Sequence, residues 1–188
     1  METTTTIAPA KEQPKTATPQ PSPGAIEADK PGFQSLYDLI KEQSFFAGLD
    51  ARQLQLLAES AMETRFEIGQ SIFEQGSPAN RFYLILEGNV TLESDLKDRG
   101  RISIQTLGPG DALGWSWLFP PYHVHLSARA LEPTRAIFFF GTRLREQCEQ
   151  DHDLGFELMK RIAEVMVNCL AATQRRLQEC ADATNPQS

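Results

Sequence analysis

The chain has 188 residues, 40% of them hydrophobic and 23% charged, which is enough apolar material for one ordinary soluble domain and a tail. Its formal net charge of −7 argues against a protein whose main task is to grip nucleic acid through phosphates. The cysteines, Cys148, Cys169 and Cys180, form no CxxC pair and no secreted-type disulfide framework. No apolar run approaches the roughly 20 residues of a membrane-spanning helix, and the start, Met1-Glu2-Thr3-Thr4, lacks the basic and apolar regions of a signal peptide. A reducing, cytoplasmic setting with no membrane contact is the expectation.

Residues 1–32 hold half of the 12 prolines and no aromatic residue. Such a segment buries too little apolar surface to offset its ordering entropy, so a disordered tail is expected there. Its charges nearly cancel, leaving little electrostatic drive toward membrane or nucleic acid.

From Phe33 the pattern turns helical. Leu36, Leu39 and Ile40 share a face, followed by Phe45 and Phe46. Asp50 is placed to cap a second helix, and Gln53 completes a capping-box spacing. Leu54, Leu57, Ala58 and Ala61 form its apolar stripe.

The period then changes. Short β-type runs recur at 65–66, 71–73, 81–86, 89–92, 101–107, 127–131 and 135–140, separated by turn residues such as Gln75-Gly76-Ser77-Pro78 and Gly108-Pro109-Gly110-Asp111. Many short strands with frequent turns predict an antiparallel β-roll or jelly roll. Gly69, Gly76, Gly88 and Gly110 fall where tight turns need positive φ. A short helix is expected over 142–148 and a long one over about 151–180. The order predicts an α+β fold, with N-terminal helices and a long C-terminal helix around one β-roll.

These residues resemble a known family. Phe46-Ala47-Gly48-Leu49, Ile68-Gly69-Gln70-Ser71, Arg81-Phe82-Tyr83-Leu84-Ile85-Leu86-Glu87-Gly88 and Leu107-Gly108-Pro109-Gly110-Asp111 are similar, in order and spacing, to motifs of the cyclic-nucleotide-binding domain. The resemblance covers about residues 33–180 and extends to catabolite-activator-type regulators. It implies a phosphate-binding cassette at Gly114–Arg129, with a Glu for the ribose and an Arg for the phosphate. Here Trp115 stands at the glutamate's place, and His123 or Val124 at the arginine's. Arg129 matches a different family arginine. The polar anchors are therefore read as lost, and the cassette as degenerate.

The candidate pocket comprises Gly114, Trp115, Ser116, Trp117, Tyr122, His123, Val124 and Thr173. One reading has the aromatics Trp115, Trp117, Phe119 and Tyr122 filling it as core. The other leaves a cavity for a flatter, less anionic ligand. His123 and His125 form an HxH pair, but no carboxylate follows at a metal-site spacing, so no metal and no cofactor are called for. No nucleophile–base motif is visible, and a non-catalytic protein is expected.

In the long helix, Leu158, Met159, Ile162, Val165, Met166, Cys169, Ala172 and Thr173 form one apolar stripe. The resemblance implies that this helix pairs with its copy, with Ile162, Met166, Cys169 and Thr173 as candidate interface residues. Only eight residues follow Cys180, read as a disordered end (181–188) without a recognition helix, so DNA binding by this chain is not expected. The functional expectation is a regulatory or sensor module acting by dimerisation, contact with an unidentified protein partner, or an unidentified small ligand. The alternative is a sensor of a cyclic nucleotide or other small molecule feeding a signalling or transcriptional response.

Overall fold

The computed structural model describes residues 35–96 and 100–184. The sequence-predicted tail over 1–32 and the last residues of the chain lie outside them. Helix α1 (Leu36–Lys41) is capped by the Ser35 hydroxyl, and a 3₁₀ turn follows at Ser44–Phe46. Helix α2 (Ala51–Glu59) opens with the expected capping box. Gln53 N–H donates to the Asp50 carboxylate at 2.8 Å, and the Asp50 N–H donates to the Gln53 side chain at 3.1 Å. Ala61, read as part of the helical stripe, instead begins strand β1 (Ala61–Phe66), because pairing with Phe139 across the sheet outweighs local helical spacing.

Strands β2 (Ser71–Phe73), β3 (Arg81–Glu87), β4 (Val90–Leu96), β5 (Gly100–Leu107), β6 (Ala112–Leu113), β7 (Ser127–Ala130) and β8 (Thr134–Phe140) complete the roll. They form two antiparallel four-stranded sheets, ordered β1-β8-β3-β6 and β2-β7-β4-β5. All four turn glycines named above have positive φ. Helices α3 (Gly141–Gln150) and α4 (His152–Thr184) follow. The α4 helix therefore runs through 181–184, where the sequence suggested an irregular end.

The run Phe82–Ile85 is continuously apolar because β3 is covered on both faces. Phe82 and Leu84 join Ile137 and Phe139 against the helices, together with Leu57, Leu144, Leu158 and Ile162. Tyr83 and Ile85 point the other way, into the roll, against Val90, Leu92, Leu107, Leu113 and Phe138. The alternation of side chains along a strand sends each set to its own core.

Helix α4 carries two apolar stripes rather than one. The inner stripe is Leu154, Leu158, Ile162, Val165, Cys169 and Ala172; the outer is Phe156, Met159, Ala163, Leu170 and Leu177, all exposed. This corrects one of the four interface candidates: Ile162 is only 1% exposed and belongs to the domain's own core. Met166, Cys169 and Thr173 are half-buried, and Cys169 also lines a pocket.

Arg135 ties three strands of the first sheet together. Its guanidinium makes two bonds to Glu63 on β1, at 2.7 and 3.1 Å, and one to Glu87 on β3 at 3.0 Å. The Arg135 hydrogen bond holds the Glu63 carboxyl below its ordinary range. A depressed carboxylate stabilises the fold above its unfolded pKa, and that contribution is lost as pH falls through the lowered folded value. Glu63→Gln is therefore expected to lower the urea midpoint at pH 7. The gap to wild type should begin to narrow as acidification passes the ordinary Glu value of 4.5 and close only below the lowered folded value; a gap independent of pH would contradict it.

Candidate functional site

The pocket lies at the mouth of the roll. Phe73, Leu92 and Leu107 form its floor; Leu113–Ser116 and Val124–Leu126 form its sides; and Val165, Asn168 and Cys169 of α4 cover it. Gly114 sets the entry. At φ 83° its backbone passes so close to β3 that a Cβ would sit 2.7 Å from the Arg81 carbonyl, so only glycine fits without distortion.

Trp115–Trp117 form one turn of 3₁₀ helix. With three residues per turn, side chains two apart diverge. Trp115 turns into the pocket, where its ring stacks on His125 with centroids 5.2 Å apart and planes 11° from parallel. Trp117 turns into the helix-side core, fully buried, with its centroid 6.2 Å from that of Phe82. Ser116 is buried, and its hydroxyl lies 3.1 Å from His125 Nδ1. The imidazole is thus held by a ring face and by a hydroxyl.

Of the eight candidate pocket residues, Gly114, Trp115, Ser116 and Val124 come together in this wall. The other four lie elsewhere. Trp117 is core for the reason just given. Tyr122 leaves the turn outward, with the Arg145 guanidinium 4.5 Å above its ring. His123 is exposed, its Nδ1 2.8 Å from the Pro121 carbonyl. The Thr173 hydroxyl donates to the Cys169 carbonyl at 2.8 Å, a bond within α4. Residues that sequence reasoning missed are His125, Gln105, Asp111 and Asn168. The spacing of the inner stripe, through Val165 and Ala172, points to Asn168 and Cys169 as neighbours on that face. Nothing in the sequence signals the stacking of His125.

The electrostatics are unlike those of an anion site. No lysine or arginine lines the pocket, whereas Asp111 does. Val124, at one of the two positions where the resemblance sets a phosphate-binding arginine, is apolar and 6% exposed. Arg129 lies on β7; it donates to the Gly69 carbonyl at 2.8 Å and pairs with Glu93 at 3.5 Å. The space left inside for a water-sized sphere is about 60 Å³, while pockets for drug-sized ligands run to about 300–1,000 Å³.

Burial raises the Cys169 thiol pKa. The Cys148 thiol is pushed up to about 11, by burial first and then by Asp151 and Glu149. Both stay protonated near neutrality and are poor nucleophiles. Among the described residues, no three His, Cys, Asp or Glu side chains gather as a metal-holding group.

A two-sheet antiparallel roll, closed by a long C-terminal helix over a cassette turn, defines the regulatory β-roll class. Residues 63–151 match the cyclic nucleotide-binding domain family. A solved structure from Geobacter metallireducens GS-15, assigned to the cyclic nucleotide-binding proteins, is 34% identical, covering 71% of this chain and 96% of that one at a TM-score of 0.64. The CRP-like cAMP-activated global transcriptional regulator of Mycobacterium tuberculosis is 22% identical over 126 residues, which is 67% of this chain. The chain spans about half the length of that regulator, 56%. A regulatory subunit of a cAMP-independent protein kinase A from Trypanosoma cruzi, solved with guanosine, shares the fold at 17% identity and a TM-score of 0.59, over 78% of this chain and 50% of that one. The chain belongs to the cyclic nucleotide-binding domain family.

The His125 contacts generate a test. His125→Ala removes the partner of the Ser116 hydroxyl. Because His125 is exposed, water can take its place, so the cost is that of one ordinary hydrogen bond, about 0.5–1.5 kcal/mol. The double variant with Ser116→Ala is expected to cost less than the sum of the two single changes. Urea unfolding of the four proteins measures this; strict additivity would show that the two side chains do not interact.

Proposed function

We propose that this chain is a non-catalytic regulatory module whose nucleotide pocket is occupied by its own Trp115–His125 pair, and that it works as a homodimer through α4 in a cytoplasmic setting. The observation that carries the reading is the pocket wall: it holds a carboxylate and no cation, and an indole and an imidazole stand in the space. A buried phosphate without its charged partner loses about 2–5 kcal/mol, tens to thousands of fold in affinity. The loss is compounded by the small remaining volume. Signalling then falls to surfaces, and protein–protein contact is the output.

Isothermal calorimetry with cyclic AMP and cyclic GMP is expected to show no binding at micromolar protein. Micromolar affinity for either would overturn the reading. The residual cavity, bordered by Gln105, Asn168 and Ser116, favours a second reading, a small uncharged ligand. Guanosine, bound by the Trypanosoma relative, is larger than this space, so its binding in the same experiment would require Trp115 or His125 to move aside.

The outer stripe of α4 supports the dimer. Phe156, Ala163, Leu170 and Leu177 recur every seven residues, with Met159, Met166 and Thr173 three residues after the first three. That is the seam of a two-stranded coiled coil. Phe156, Leu170 and Leu177 are each 59–64% exposed, and covering them calls for a partner helix; a second copy gives the simplest closed solution. Leu170→Glu should yield monomers by light scattering on the order of tens of micromolar, with unchanged circular dichroism. A wild-type monomer at that concentration would refute the dimer.

A further inference from the structure

Most of the described arginines lie within 4.0 Å of a carboxylate. Arg81, Arg145 and Arg175 do not. Arg81 and Arg145 border one face, and both are held in place. The Arg81 guanidinium lies 4.6 Å from the centroid of the Phe138 ring. Arg145 lies over the Tyr122 ring and donates to the Trp117 carbonyl at 2.6 Å and to the Thr142 hydroxyl at 3.2 Å. Thr142 in turn lines an open depression with Arg81, Phe140 and Arg143, so the two guanidinium groups belong to one continuous surface around the start of α3. One carboxylate, Glu146, enters the depression, and it sits 3.7 Å from Arg143. Tyr122, under Arg145, and Phe140, in the depression, border this surface, each about 40% exposed.

We infer that this face is the docking site for an acidic segment of a partner protein, its carboxylates meeting Arg81 and Arg145 and an apolar side chain covering Phe140. The argument is one of charge and order. In a chain of net charge −7, two guanidinium groups stay without a carboxylate while stacking fixes them for one. A planar guanidinium already fixed loses little freedom when it donates a fork of N–H bonds to carboxylate oxygens. Tyr, Phe and Arg are also the residue types enriched where proteins bind one another. A nucleic acid is disfavoured by the same net charge, which repels a polyanion over its length. The face lies apart from the pocket lining, so the inference holds whether or not the pocket takes a ligand.

The test pans the full chain against a display library of random short peptides, followed by fluorescence anisotropy of the enriched sequences. Enrichment of peptides with several Asp or Glu and an apolar residue is expected, with binding that weakens as salt rises. Arg81→Glu places a like charge against the segment and should weaken binding at least about tenfold. Phe140→Ser, a second variant at the exposed rim, should weaken it as well; circular dichroism verifies that each variant folds. Failure to enrich any peptide, enrichment without acidic residues, or affinity unchanged in both folded variants would overturn the inference. So would displacement of the peptide by a single-stranded RNA oligonucleotide at lower concentration than by the unlabelled peptide.

Discussion

The pairing of β3 with β8 is the constraint on which the rest of the domain depends. Six register pairs, from Arg81↔Phe140 to Glu87↔Arg135, lock the two strands. Their side chains serve two cores at once, one against the helices and one inside the roll. A shift of one residue would exchange the two sets and send Tyr83 and Phe138 toward the helices. Because β3 also pairs with β6, the same register fixes where the chain turns at Gly114, and so where the cassette faces. The site is positioned by core packing far more than by its own loops.

Within that frame the cassette follows from a few substitutions. Val124 stands at one of the two positions where the resemblance sets an arginine, and Trp115 lines the pocket. Beside them Ser116 and His125 bond to each other. A buried hydroxyl matched by an imidazole avoids the cost that an unpaired polar group would carry in an apolar pocket.

Local signals in the sequence translate directly into structure. The Asp50–Gln53 capping box depends on residues three apart and is present as read. The strand spacing and turn glycines define the roll, because turns and alternation are local as well. Signals that depend on distant pairing are not legible. Ala61 fits a helical stripe equally well until Phe139 claims it, and β6, two residues long, exists only through its partner strand. Trp115 and Trp117 look alike in the sequence, yet one 3₁₀ turn leaves Trp115 half-buried and stacked on His125 while Trp117 is fully buried. On α4 the inner and outer stripes are offset by a single position, and periodicity alone cannot say which stripe the roll covers. Met159 and Ile162 share one stripe in the sequence reading, yet the first is exposed and the second is buried in the core.

Gly155 lets α4 pass against the end of α3, where a Cβ would come within 3.1 Å of Cys148. Beyond that crossing the helix continues to Thr184 with no further glycine and no proline, and so without the residues that usually kink one. Mechanically it is a stiff rod. At 1.5 Å per residue, the 25 residues from the crossing to Cys180 span about 37 Å, and Leu158, Ile162 and Ala172 pin its inner side to the domain along the way, so the outer stripe is held as one straight edge.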